Sequence, residues 1–409
     1  MTETRPNLEL PPLSPDPTDT SQKTARSTRY AFVFLEIFNQ EGGIQSYVKD
    51  IFQAYLSLER PCNADIFLLR DPRNCTNPFD REPLHFHYLG DAAAWWGRLK
   101  LIGELLTFLV RHRPDRVFCG HINLAPLVQY LCAPLGIPYT VLTYGKEVWE
   151  RLTPAKHKAL EGAEAIWTIS RYSRDRALAA NDLKPAKVQI LPCVVDGKIF
   201  SPAPKPPTLV ERYGLQGSKV LMTVARLWSG DRYKGVDVTL RALPEIARAF
   251  PEVKYLVIGR GDDQPRLAQL AKDLGVGDRV IFAGFIPTPE LPDHYRVADA
   301  YIMPSQEGFG IVYLEAMACG IPVLSGDRDG SADPLQDGKL GWRVPHREPQ
   351  AVAEACIEIL QGEDRRCDSS WLRQQCLAHF SKEALAQQLQ ELLEGGGVTG
   401  RGGEGERGS

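Results

Sequence analysis

The stretch AYIMPSQEGFGIVYLEAMACG, residues 300–320, decides the fold. It opens with a short apolar run, Ala300–Pro304, breaks at Gly308-Phe309-Gly310, and resumes as an apolar segment closed by Gly320. That is the pattern of a strand turning directly into a helix that starts near Gly310 and ends at a C-terminal glycine. A strand feeding a helix is the unit of a parallel sheet covered on both faces. Two carboxylates, Glu307 and Glu315, stand eight positions apart in this apolar setting. A fully buried carboxylate is rare unless partnered. No Arg or Lys lies within a helical turn of Glu315, so its partner is another element, solvent or a ligand. Glu307, in the turn, also reads as an ordinary solvated loop residue.

Working outward, the same alternation fills the chain. Apolar runs without strict alternation occur at Tyr30–Leu35, Ile66–Leu69, Arg116–Cys119, Tyr139–Thr143, Ile166–Ile169 and Val188–Pro192. A second set follows at Val220–Ala225, Lys254–Gly259, Val280–Ala283, Ala300–Pro304 and Pro322–Ser325. Helical patterns such as Gly43–Leu58, Val236–Phe250 and Pro349–Leu360 intervene, which predicts an α/β chain with two doubly wound, Rossmann-like parallel sheets. Between the sets, Asp196–Pro207 carries prolines at 202, 204, 206 and 207, the composition of an interdomain linker. The expected units are 29–205 and 206–394, with mobile tails at 1–28 and 395–409. A last amphipathic pattern, Lys382–Leu393, has no preferred packing partner in the sequence. Ligands bind at the carboxyl ends of such strands, so the site is expected in the cleft between the units.

A length of 409 residues, 43% apolar and 24% charged, fits a soluble chain of two or three domains. The net charge of -3 gives no footprint for nucleic acid. Nine cysteines without a C-x-x-C pair indicate neither a disulfide framework nor a zinc cluster, and suit a reducing cytoplasm. No apolar run approaches the roughly 18 residues of a spanning helix, and the N-terminus has no apolar signal core.

Cations complete the pattern in the second half. Arg226 ends the strand Val220–Ala225, and Lys234 immediately precedes a helix. A cation there opposes the helix macrodipole, a small penalty that a bound anion reverses; Asp237 or a surface carboxylate is the structural alternative. The free N–H groups at the start of the Gly310 helix form an anion site, and Gly308 and Gly310 allow close approach to the backbone. Carboxylates on both sides of a diphosphate clamp suit a ligand with hydroxyls at both ends, a nucleotide-sugar.

In the first half, Gly42-Gly43 opens a helix after the first strand and reads as a phosphate-approaching loop or a tight turn. His121, in Gly120-His121-Ile122-Asn123, follows a strand and reads as a cleft residue or a cap. Tyr144-Gly145-Lys146-Glu147 follows the next strand in the same way, so three strand ends point to one edge. Trp95-Trp96 opens an apolar helix with Arg98 and Lys100 nearby, which fits a membrane-surface or acceptor-lipid face or, more commonly, core packing.

Glu307-Gly308-Phe309-Gly310 with Glu315, preceded by Arg226 and Lys234, resembles the retaining family 4 glycosyltransferases (glycosyltransferase group 1), over nearly all of 29–390. The resemblance implies the two-domain GT-B fold and transfer of a hexose from a nucleotide-diphosphate sugar to a saccharide or lipid-linked acceptor in envelope or exopolysaccharide synthesis. It implies no metal and no other cofactor. The cysteine usage and the missing signal core give a cytoplasmic enzyme, with the membrane-surface reading of Trp95-Trp96 as the alternative of peripheral contact at the inner face of the membrane. By residue, it implies that Arg226 and Lys234 hold the donor diphosphate, beside Phe309, Gly310 and Ile311, and that Glu315 holds the ribose hydroxyls. It places Glu307 on the hexose, His121 near the reacting carbon, and Gly42 and Gly43 over the phosphates. Tyr144-Gly145 stands where many members have His-Gly. The Asn-Gly turn before the linker is replaced by Pro192-Cys193-Val194-Val195-Asp196, and the glycine-rich loop at 326–333 lacks its frequent glutamate. A nucleotide-sugar 2-epimerase or a catalytically silent sugar-nucleotide-binding subunit are the alternatives.

Overall fold

The computed structural model describes residues 28–40, 42–91 and 94–395. The expected tails, 1–28 and 395–409, lie almost wholly outside the described residues. Among the described residues thirteen strands form two sheets, and every pairing is parallel. The first contains β1 (Arg29–Phe34), β2 (Asn63–Leu68), β3 (Leu84–Tyr88), β4 (Arg116–Cys119), β5 (Tyr139–Thr143), β6 (Ala165–Thr168) and β7 (Val188–Ile190) in the order 3-2-1-4-5-6-7. The second contains β8 (Lys219–Val224), β9 (Val253–Ile258), β10 (Val280–Gly284), β11 (Ala300–Met303), β12 (Val323–Gly326) and β13 (Trp342–Val344) in the order 10-9-8-11-12-13.

Central strands are buried on both faces, as in β1, where Ala31, Phe32, Val33 and Phe34 are all in the core. That is why they read as continuous apolar runs. Two strands escaped the sequence reading, and both are sheet edges. β3 reads LHFHY and is half-exposed over most of its length, while β13 has only three residues. Short or polar edges blunt further strand pairing, and for that reason they carry a weak apolar signal.

Strand order reverses at β1/β4 in the first sheet and at β8/β11 in the second. These are the switch points where helices leave to opposite faces and open a crevice. The two halves touch across it. Ser170 donates its hydroxyl to the Gly308 carbonyl at 2.5 Å, and the Arg171 main-chain N–H donates to Asp333 at 2.7 Å.

The final helix, Lys382–Gly395, was grouped by sequence with the second unit. It packs instead against the Gly43–Leu56 helix of the first, with Lys382 bonding Gln53 and Asp196, and Gln388 bonding the Ile190 carbonyl. Its apolar stripe, through Leu385 and Leu389, is buried, and a helix with one apolar stripe needs only one face to cover it.

Candidate active site

Arg226 lies just past the end of β8, and Glu307 follows β11, so the β8/β11 switch point gathers both. Lys234, at the end of a 3-10 turn (Ser229–Lys234), forms an ion pair with Glu307; both side chains are mostly buried. Burial alone lowers the Lys234 ammonium, but Glu307 and Tyr233 outweigh it and hold it above its ordinary range. Asp237, the alternative partner in the sequence, pairs with Arg347 at 2.5 Å instead. Arg226 is 70% exposed at its side chain and pairs with Asp231 at 3.1 Å.

The turn after Glu307 behaves as the sequence predicts. Gly310 has φ of 88°, a conformation that costs glycine nothing, and the helix runs Ile311–Ala318 with Gly320 at φ 74° beyond its end. Phe309 is different: its ring is buried against Phe380, at 5.9 Å between centroids, so only its main chain is left to face a ligand. Glu315 finds its partner on another element, since Tyr295 donates its hydroxyl to it at 2.6 Å. Burial pushes the Glu315 carboxylate up to about 7 despite that bond.

Sequence reasoning passed over Asp329. It is 2% exposed, accepts from the Glu307 N–H at 2.6 Å and the Ser331 N–H at 2.9 Å, and thereby sets the backbone from which Glu307 projects. Burial raises its carboxyl to about 6. Its location in the loop after β12 was visible, but that it reaches back to Glu307, 22 positions earlier, was not.

The first wall is made of β1, β4 and β5 ends. Gly42 and Gly43 are exposed, and neither has a left-handed φ; Gly42 sits at φ 175°, ordinary extended backbone. A Cβ on Gly43 would meet nothing within 4 Å, and one on Gly42 would meet only the movable Gln45 side chain. Turn geometry therefore does not require glycine at either place. His121 is half-buried and accepts from the Asn123 N–H at Nδ1, 3.0 Å away, so the capping reading holds for that nitrogen. Its neutral ring then carries the proton at Nε2, and burial, with Lys156 and Arg70, lowers its pKa.

Trp95 and Trp96 overturn the core-packing reading. They are 59% and 55% exposed and stack on each other at 4.2 Å between ring centroids. Leu99, Leu106 and Val110 of the same helix, Ala94–His112, are also exposed, and positions 95, 99, 102, 106 and 110 recur at helical spacing along one face. The opposite face, Leu101, Leu105, Phe108 and Leu109, is buried on the sheet.

Two parallel sheets joined by a linker, with a helix starting at the switch point of one, define a GT-B-type architecture. A crystal structure of Anabaena Alr3699/HepE in complex with UDP matches it at a TM-score of 0.73 and 19% identity, over 90% of this chain and all of that one. The family profile for Glycosyl transferases group 1 matches residues 218–362. A GDP-mannose-dependent alpha-(1-6)-phosphatidylinositol monomannoside mannosyltransferase of Mycolicibacterium smegmatis is 35% identical, over 72% of this chain and 78% of its own length. A D-inositol 3-phosphate glycosyltransferase of Thermobispora bispora is 34% identical over 86% and 89%. The chain belongs to the group 1 glycosyltransferases and is a glycosyltransferase that uses a nucleotide-sugar.

Proposed function

We propose that the chain transfers a hexose, with retention and without a metal, from a nucleoside-diphosphate sugar to a lipid-linked acceptor in cell-envelope synthesis. The observation that carries this is the pair of ion pairs, Lys234 with Glu307 and Arg226 with Asp231, beside the free N–H groups of the Ile311–Ala318 helix. Both cations are provisionally neutralised by carboxylates at the cleft, and a diphosphate is the dianionic group that suits two cations and a helix N-terminus. In transfer the bond from the anomeric carbon to the diphosphate oxygen breaks, the acceptor oxygen bonds that carbon on the same face, and the acceptor proton passes to the departing phosphate. Arg226, Lys234 and the helix start stabilise the charge that develops on the leaving diphosphate, the task a metal has elsewhere. Glu307, tied to Lys234 and held through Asp329, orients the hexose rather than attacking it, and the neutral His121 offers Nε2–H near the reacting carbon.

The relatives named above make GDP-mannose and a phosphoinositide-type lipid the first donor and acceptor to test. Purified protein with GDP-mannose, UDP-glucose and a phosphatidylinositol acceptor, with and without EDTA, tests the reading. An α-linked product formed equally well in EDTA supports it; a β-linked product or loss of activity in EDTA overturns its stereochemical or its metal-free part.

The outer face of the Ala94–His112 helix supplies the contact with the bilayer that holds such an acceptor. Tryptophans at one end, aliphatic residues along the face and the exposed cations Arg98, Lys100 and Arg111 beside it fit an interfacial helix on anionic lipid. The helix leaves the carboxyl end of β3, so the tryptophan end lies on the cleft side of the sheet. Among the described residues no helix is long and apolar enough to cross a membrane. Co-sedimentation with phosphatidylglycerol-containing vesicles, lost in Trp95→Ser/Trp96→Ser, supports this contact; retention of binding in the double variant overturns it.

A further inference from the structure

Lys146 reaches across the cleft from the first wall. It follows β5 in a loop held rigidly from both sides. Glu147 accepts from the Tyr144 N–H and, at 3.3 Å, from the Gly145 N–H, while the Tyr144 hydroxyl donates to the Gly120 carbonyl at 2.7 Å. Gly145 has φ of 141°, and a Cβ there would come 3.7 Å from the Gly308 Cα, so this loop lies against the turn that presents Glu307. From it the Lys146 ammonium sits 3.2 Å from the centroid of the Tyr233 ring. Tyr233 lies next to Lys234 in the chain and also interacts with Arg226.

Lys146, Lys234 and Arg226 thus converge on one tyrosine, with Asp231 and Glu307 as the carboxylates among them. Three cations against two carboxylates leave a positive surplus. Burial, the largest influence, lowers the Lys146 pKa, with Lys234 and Arg226 acting in the same direction against Glu307 and Asp231. An ammonium crowded by two other cations and resting on a ring face has a weak partner, and an incoming anion is a stronger one.

We propose that Lys146 is a third cation of the donor site, supplied by the opposite wall, and that it leaves Tyr233 to bind the sugar-bearing distal phosphate of the donor. This rests on the diphosphate reading above. Its position beside Glu307, the carboxylate assigned to the hexose, places it at the sugar end of the clamp rather than the ribose end. A cation there acts where negative charge grows as the diphosphate departs.

The test is calorimetric titration of GDP and GMP, and of UDP and UMP, into the wild type, Lys146→Ala, Lys146→Arg and Arg226→Ala. Lys146 is exposed and bonds no buried group, so its variants fold; unchanged melting temperatures check this. Lys146→Ala is expected to weaken the diphosphate that binds by about tenfold and its monophosphate by less than twofold, with Lys146→Arg largely restoring it; a tenfold loss corresponds to about 1.4 kcal/mol. Equal losses for mono- and diphosphate, or none for the diphosphate, overturn the proposal. If Arg226→Ala also leaves diphosphate binding intact, the clamp reading itself fails; if only Lys146→Ala does, the clamp stands without Lys146.

Discussion

The wall of the cleft formed by β8 and β11 holds its charges in pairs, whereas the wall formed by β1, β4 and β5 offers bare main chain, one neutral imidazole and one ammonium resting on a ring. Paired charges keep their positions without a ligand, because each is already satisfied. The first wall is organised differently: a Cβ on Gly43 would meet nothing within 4 Å, and the Lys146 ammonium rests on a ring face rather than on a carboxylate.

The sharpest way to break this contrast is to unpair the second wall. Lys234→Ala removes the proposed phosphate ligand and leaves Glu307 without its cation, so nucleoside-diphosphate affinity should fall by about 100-fold or more, with a measurable loss of melting temperature. Titration calorimetry and thermal unfolding read both, and undiminished binding would dissolve the difference between the walls. Glu315→Gln comes next: with Glu315 on the ribose, as the resemblance implies, nucleotide affinity should fall by about tenfold.

Glu315 also has a pH signature. Its folded carboxyl titrates at about 7, raised by burial above the ordinary glutamate value of 4.5. Between those two values the folded state binds more protons than the unfolded one, so this group's stabilising contribution is full at acid pH and is lost as pH rises through 7. The ligand-free protein should therefore lose melting temperature between pH 5 and 8, and Glu315→Gln should flatten that slope and melt higher at pH 8. A slope unchanged by the substitution would show that Glu315 is not the group responsible.

On the first wall the effects are smaller and separable from folding. Gly43→Ala introduces a methyl into open space, so the melting temperature should stay within about 1 °C while donor affinity falls several-fold through lost approach to the backbone. An unchanged affinity would mean that the loop does not close over the donor. His121→Asn should lower kcat with little change in donor KM, and because its pKa is already lowered, the wild-type rate should show no imidazole step between pH 7 and 8.5.

Legibility followed the same division. Central strands, the Gly308-Phe309-Gly310 break and the Gly310 helix start were readable, because local spacing and chain order carry them; Arg226, Lys234, Glu307 and Glu315 stood out by position, but their individual roles came only from the resemblance. Asp329, Tyr295 and Lys146 were not singled out, since each acts on a residue far away in the chain. Phe309 was readable as part of a motif but not as a side chain that turns into the core. The tryptophan pair was ambiguous for a physical reason: the Ala94–His112 helix is apolar on both faces, and periodicity cannot say which face meets the sheet.

What the sequence determined by itself is the order of strands and helices and the chemical types gathered at two switch points, because these follow from residue spacing and the handedness of parallel connections. Only the tertiary structure decided the pairing of Lys234 with Glu307 rather than Asp237 with Lys234, the docking of the last helix on the first unit, and the exposure of Trp95 and Trp96. Each of these is a choice among several partners of equal local merit, and a choice of that kind is settled by which surfaces the packed sheets leave within reach.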